Sequence, residues 1–211
     1  MQDKNELREQ IEATSNKLNL NEYAVEKDIH ITRAIHTLSQ VQNDYFALVF
    51  QGGTSLSKAY KVIKRLSEDA DFRVIQKPIA EKLGKGARRN KLRRFRHALI
   101  ETLRQSKFNI PEANIKVFYE GRFTSIQAEF EGANTKDYLK PFIAIECFAG
   151  KLALPPKTKQ ITTLIKETLG EHCDHETRAV SCVSLDETAA EKWVALTRRV
   201  ANSRVHFRES H

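Results

Sequence analysis

No run of 18 apolar residues occurs in the chain, so no transmembrane helix is expected. The first ten residues, MQDKNELREQ, hold no apolar core of the kind that opens a signal peptide. Cysteine is scarce: Cys147, Cys173 and Cys182 are odd in number and irregular in spacing. That excludes a disulfide framework and fits reduced thiols in the cytoplasm. One local mixture of metal-ligand types, Glu171-His172-Cys173-Asp174-His175, lacks the second ligand pair that zinc sites show at defined spacing. It reads as a polar loop. What is in excess is positive charge, with a formal net charge of +8 and a pI near 9.4. Such an excess favours a polyanion partner, RNA or DNA, although solubility alone also accounts for it. A chain of 211 residues, 40% hydrophobic, can bury a core without staples. It suits one domain, or one domain with a helical extension.

The most informative stretch runs from Tyr45 to Ile75. Residues 45–51 are apolar and β-prone, and Gly52-Gly53 breaks the run. Thr54 and Ser55 are both plausible helix caps, and Leu56, Ala59, Tyr60 and Ile63 recur at helical spacing up to Ser67. Asp69 to Val74 then alternates polar and apolar like a strand with one wet face. Alternate residues of a strand point the same way, so Asp69 and Asp71 project side by side. Two close carboxylates repel unless a cation sits between them, and hard oxygen ligands suit Mg²⁺ bridging to phosphates. The glycine turn opens backbone N–H groups at a helix start, where phosphate is favoured. Thr54 and Ser55 hydroxyls and the Lys58 ammonium are candidate additional contacts. The alternative is a strand–helix–strand unit whose aspartates are merely a solvated face.

Elsewhere the pattern is coarser. Residues 3–18 read as a polar helix, and Asn21 is placed to cap a longer one with an apolar stripe through Val25, Ile29, Ile35 and Leu38. A helix is expected from about Ala87 to Ser106, with Leu92, Phe95, Leu99 and Leu103 buried. Its other face holds Arg88, Arg89, Lys91, Arg93, Arg94, Arg96 and Arg104, with Arg88, Arg89, Arg93 and Arg94 the candidate nucleic-acid contacts. Such a face suits sequence-independent phosphate contacts, or is simply a solvated basic surface. Ile115–Tyr119 and Phe123–Phe130 read as a β-hairpin, with Glu129 facing its polar side. In the strand 142–148, Ile143, Ile145 and Cys147 share one face, and Phe142, Ala144 and Glu146 the other. Residues 149–160 read as a Pro-rich connection, 161–169 as a short helix and 180–185 as a last strand. A final helix is capped by Ser184 or Asp186, with Ala189, Trp193, Leu196 and Val200 on one apolar side.

Gly52-Gly53-Thr54-Ser55-Leu56-Ser57-Lys58 followed by Arg65-Leu66-Ser67-Glu68-Asp69-Ala70-Asp71 resembles the first two motifs of the AbiEii/AbiGii-type nucleotidyltransferase toxins. That family belongs to the polymerase-β-like nucleotidyltransferase superfamily. The resemblance implies an α/β (α+β) fold, a nucleotidyltransferase-like mixed β-sheet core flanked by helices. It implies one domain over 1–211, with an N-terminal helical segment (1–44), a catalytic core (45–185) and a C-terminal helix (186–211). Asp69 and Asp71 would bind Mg²⁺ (or Mn²⁺), with Glu146 as third carboxylate and Glu129 in reserve. Gly52, Gly53, Thr54, Ser55 and Lys58 would hold the NTP phosphates. Glu191 to Arg199 resembles the family's K-h-x-A-L-x-x-R helix, which would bring Lys192 to the phosphates with Arg198 or Arg199 assisting. Glu26-Lys27-Asp28 resembles a feature that precedes the glycine motif; the plainer reading is helix-surface charge with an internal salt bridge.

The implied activity is transfer of a nucleoside monophosphate from an NTP to an acceptor hydroxyl, RNA or tRNA in the first place. The setting would be a type IV toxin–antitoxin or abortive-infection (phage-defence) system, with a cognate antitoxin that forms no stable complex. A protein acceptor, or a nucleotide- or RNA-binding module without catalysis, remain the alternatives. Family members continue into an R-D-x-x-D-like helix and a further helical lobe, whereas this chain stops at His211. It is therefore either a fragment or naturally short.

Overall fold

A computed structural model describes residues 4–64, 68–132, 142–170 and 176–209, with side-chain surroundings up to residue 199. The chain opens with two helices, α1 (Lys4–Leu18) and α2 (Glu22–Ser39). Asn21 caps α2, its Oδ1 accepting from Tyr23 N at 2.8 Å. Asn43 Oδ1 accepts from Tyr45 N and Phe46 N and turns the chain into β1 (Phe46–Gln51). Then come α3 (Gly52–Lys58), β2 (Asp69–Gln76), α4 (Pro78–Glu81) and α5 (Lys85–Gln105). The hairpin β3 (Ile115–Phe118) and β4 (Phe123–Glu129) leads to β5 (Phe142–Ala149). The chain ends with β6 (Lys157–Ile161), α6 (Leu164–Leu169), β7 (Arg178–Cys182) and α7 (Leu185–Glu209).

The seven strands form one mixed sheet in the order β3-β4-β5-β2-β1-β7-β6. The β2–β5 and β1–β7 pairs are parallel and the others antiparallel. Strand alternation splits the sheet into two unlike faces. Phe46 and Phe50 of β1, Phe72 and Val74 of β2, Ile143, Ile145 and Cys147 of β5 and Ile126 of β4 form the core face, under α2 and α5. Phe46 stacks on Phe95 of α5 at 5.6 Å, and Phe50 meets Phe72 at 5.5 Å. Each buried phenylalanine contributes roughly 1.5–3 kcal/mol relative to exposure. The opposite face carries Asp69, Asp71 and Arg73 of β2 with Ala144, Glu146 and Phe148 of β5. The mixed sheet flanked by helices, the hairpin, and the face assignment in 142–148 match the reading of the sequence.

Four local expectations are corrected. The helix after the glycines stops at Lys58 rather than near Ser67, because Lys61 adopts a left-handed φ of 57° and Tyr60 turns to donate to Val183 O. Residues 157–160, read as connection, and Ile161, read as the start of a helix, pair with β7 as an edge strand. Glu26, Lys27 and Asp28 are not surface charges: they are 2%, 5% and 5% exposed. Trp193 and Leu196 of α7, expected to be buried, are 71% and 57% exposed. The 171–175 cluster lies outside the described residues, as do Arg65-Leu66-Ser67. Among the described residues, no helix is long and apolar enough to cross a membrane.

Candidate active site

The register of the parallel β2–β5 pair sets Asp71 beside Glu146, and Asp69 one step along the same face. On the other side of β2, Gln51 of β1 is the partner of Asp71. Three strands thus bring three carboxylates and an amide to one patch of the sheet. Burial pushes the Asp71 carboxyl up to about 6, with repulsion from Glu146 and then Asp69 adding to it. The positive charge of Lys192 of α7 acts on Asp71 in the opposite sense. The Glu146 carboxyl is raised as well, first by burial and then by Asp69. Gln51 Oε1 is buried and has no hydrogen-bond partner among the described residues, leaving an extra oxygen donor beside Asp71.

Gly52 is required where it stands. Its φ is +82°, and a Cβ there would fall against the Asp71 carboxylate, well inside van der Waals contact. The turn and the acidic strand are therefore one unit, with the backbone of Gly52 lying directly over Asp71. Thr54 and Ser55 are fully buried. The Thr54 hydroxyl donates to Asp69 O, which locks α3 onto the start of β2, and Ser55 Oγ donates to Gly52 O at 2.9 Å. No side chain caps the N-terminus of α3.

Lys58 points elsewhere. It forms a buried ion pair with Asp28 of α2 at 2.5 Å, and the second Asp28 oxygen accepts from Leu164 N at 2.8 Å. Asp28 therefore ties α3 and the start of α6 to α2. Lys27 pairs with Glu68 next to the aspartates at 2.5 Å. The E-K-D segment thus braces the glycine turn and the acidic strand from behind.

α7 is anchored by Arg73, two residues beyond Asp71 on the same face. Arg73 meets Glu187 at 3.2 Å and Glu191 at 2.8 Å and donates to Lys151 O. Glu187 also accepts from Ala153 N and Leu154 N. Ser184 Oγ accepts from Glu187 N, so Ser184 caps the helix. Lys192 follows Glu191 directly, on the segment of α7 that this clamp holds. Arg198 lines a separate cleft with Ala153, Leu154 and Val194. Glu129 accepts from Asn109 and Asn114 at the far end of β4 and takes no part in the carboxylate patch.

The basic helix is divided in use. Arg88 donates to Glu81 O and Leu83 O, closing the turn before α5. Lys91 sits over the Tyr45 ring at 4.2 Å. Arg89 and Arg93 line a cavity of about 310 Å³ with Arg96, against the Glu120-Gly121 turn. Arg94 is exposed. The sequence reading overlooked Gln51, Arg73, Glu187 and Glu191. Only Gln51 had a local signal, its position next to the glycines.

The carboxylate patch suits a hard divalent cation chemically, since mutual repulsion and an orphaned amide oxygen await a positive partner. Among the described residues, no three His, Cys, Asp or Glu side chains yet converge as a ligand group. The structure thus lays a glycine turn on an Asp-x-Asp strand beside a neighbouring-strand glutamate, on a mixed sheet flanked by helices as in nucleotidyltransferase toxin folds. The sequence matches the family described as nucleotidyl transferase AbiEii toxin, type IV toxin–antitoxin system, over residues 37–208, and the chain belongs to that family. Among solved structures, MenT4, a nucleotidyltransferase toxin from Mycobacterium tuberculosis H37Rv, is similar, with a TM-score of 0.54 and 19% identity. The likeness covers 87% of this chain and 57% of that one, and at this identity it concerns the fold. The chain thus spans little more than half of that protein. No curated protein matches the sequence.

Proposed function

We propose that the chain transfers a nucleoside monophosphate from an NTP to an acceptor hydroxyl of RNA, tRNA in the first place, releasing pyrophosphate. The observation that carries this reading is the patch of Asp69, Asp71 and Glu146 on one sheet face, with the positive charge of Lys192 acting on Asp71. The three carboxylates would hold Mg²⁺ or Mn²⁺, with Gln51 Oε1 at hand. Held there by Asp69, Asp71 and Glu146, such a cation would supply a lowered pKa for an acceptor hydroxyl and positive charge for the leaving pyrophosphate.

The chain's own residues supply position and charge. Lys192, held by the Arg73–Glu187–Glu191 clamp, neutralises a phosphate beside Asp71. Gly52, where a Cβ would strike Asp71, keeps the turn laid on the acidic strand, and the backbone N–H groups of the Gly52-Gly53 turn would meet phosphate oxygens. Thr54 and Ser55 hold the turn in shape through their hydroxyls, so their contribution to phosphate comes through backbone N–H groups. Lys58 supports the site from Asp28 rather than touching nucleotide. Catalysis then rests mainly on in-line positioning and electrostatics. Arg89 and Arg93 supply phosphate contacts to RNA, with exposed Arg94 beside them.

The family brings with it the role of toxin and a cognate antitoxin. Buried, unpaired Cys147 and Cys182 support a reducing compartment, the cytoplasm. The test is incubation with each labelled NTP, Mg²⁺ and total tRNA. Label on RNA with the intact chain, and none with Asp69→Ala/Asp71→Ala, is the expected result. Label on the protein itself replaces the acceptor, and absence of Mg²⁺-dependent NTP binding overturns the reading.

A further inference from the structure

The half of the sheet beside the carboxylates carries a row of aromatic rings. Phe118 of β3 is paired with Phe123 of β4, and Phe123 with Phe148 of β5. Direct cross-strand partners share a face, so the three rings line up across three adjacent strands, a span of about 10 Å. This is the face of Asp71 and Glu146, because Phe148 lies two residues beyond Glu146 on the same strand. The row therefore begins about 7 Å along the strand from Glu146. The Phe118 and Phe123 rings are 6.0 Å apart, and Tyr119 extends the row at 6.5 Å from Phe118. Phe118, Phe148 and Tyr119 are 47%, 39% and 75% exposed. Contiguous exposed aromatics on a sheet add nothing to the core and mark a binding surface.

Charge at the margins identifies the partner. The Arg122 guanidinium stands over the Phe148 ring at 5.9 Å. Lys116, partner of Ser125, projects from the same face of β3. Around the hairpin turn, on the side of the sheet that α5 covers, lies the cavity of Arg89, Arg93 and Arg96. Flat π-faces spaced along a strand row, flanked by cations, are what unstacked bases and their phosphates require. An acidic peptide would use the cations and leave the rings idle.

We propose that Phe118, Phe123 and Phe148 form a stacking platform for the last bases of a single-stranded RNA. It presents the terminal hydroxyl to the carboxylate patch, while Arg89, Arg93 and Arg96 hold the upstream phosphates. The inference rests on the acceptor reading above and adds the surface and the single-stranded character of the end it takes. Phe148 and Phe123 receive the bases nearest the reacting hydroxyl, and Phe118 and Tyr119 those before it.

The probe is a short single-stranded oligoribonucleotide with 2-aminopurine near its 3′ end, titrated with the full chain at several salt concentrations. Stacking quenches its fluorescence. Phe118→Leu and Phe148→Leu are expected to weaken binding about tenfold each and to remove the quench, since a stacked base contributes about five- to a hundredfold in affinity. Phe148→Tyr should retain both, and none of the three should alter Mg²⁺-dependent NTP binding. The salt dependence should stay unchanged in the leucine variants and become shallower in Arg93→Ala. Wild-type affinity and quench in both leucine variants overturn the platform. So does a dimer that these variants turn into monomers, which would make a second copy the occupant. A wild-type chain that quenches the probe but moves no nucleotide leaves the platform standing and removes the transferase reading. Transfer onto RNA without quench does the reverse.

Discussion

Replacing Asp71 by Asn should stabilise the fold while removing its chemistry. In the folded chain the Asp71 carboxyl is pushed from an ordinary 3.8 up to about 6, by burial first and by Glu146 and Asp69 after it. A raised folded pKa means the native state holds the proton more tightly than the unfolded one. The favourable contribution is complete below 3.8 and is lost as pH rises through about 6. At about 1.4 kcal/mol per pH unit, the span corresponds to a cost of roughly 3 kcal/mol carried by the ionised wild type. Asn keeps the shape and drops the charge. Urea unfolding followed by tryptophan fluorescence or circular dichroism, without divalent cation, should find Asp71→Asn more stable by roughly 3 kcal/mol at pH 8. The difference should shrink towards zero near pH 4. His30, whose pKa is lowered to about 3 by burial and Arg33, adds an acid-side slope of opposite sign. It is common to both proteins, so the difference at each pH cancels it. A variant less stable than wild type at pH 8, or a difference that does not vary with pH, would refute the electrostatic account of the patch. A stabilising substitution at the centre of a site is what is expected where function costs stability.

Two further substitutions probe the frame. Gly52→Ala must place a side chain at φ +82° and against Asp71, so a loss of about 2 kcal/mol or more is expected in thermal or urea unfolding, together with weaker NTP binding. Asp28→Ala leaves Lys58 buried without its partner and Leu164 N without its acceptor. That should cost about 3–5 kcal/mol, and the Asp28→Ala/Lys58→Met double variant should recover part of it. Full stability in the single variant would show that the pair does not brace the turn.

The parts of the site legible in the sequence are those that depend on period. A strand repeats every two residues, which is why Asp69 with Asp71, and Glu146 opposite Cys147, could be placed on faces. Their meeting depends on the parallel β2–β5 pairing, a long-range choice that no local pattern carries. Lys58 looked like a phosphate ligand because its partner, Asp28, lies on another helix 30 residues earlier. The Arg73–Glu187 contact spans 114 positions and left no trace in either segment. The length of α3 was misjudged because the apolar spacing of Ala59, Tyr60 and Ile63 continues beyond the point where Lys61 turns the backbone left-handed. On α7, Trp193 and Leu196 had the spacing of a buried stripe, yet both face outward. Gly52 was read correctly as a turn, but its second constraint, the carboxylate of Asp71, is tertiary.

The most direct test of the account is pyrophosphate release from each of the four NTPs, in the presence of RNA and Mg²⁺, by wild type and by Asp71→Asn. The substitution is expected to stabilise the fold, so a loss of turnover cannot be attributed to unfolding. The account predicts release by the wild type with at least one NTP and a loss of about a hundred- to a thousandfold in the variant, roughly what removing a principal charge-stabilising group costs. Equal release by the two proteins would contradict it.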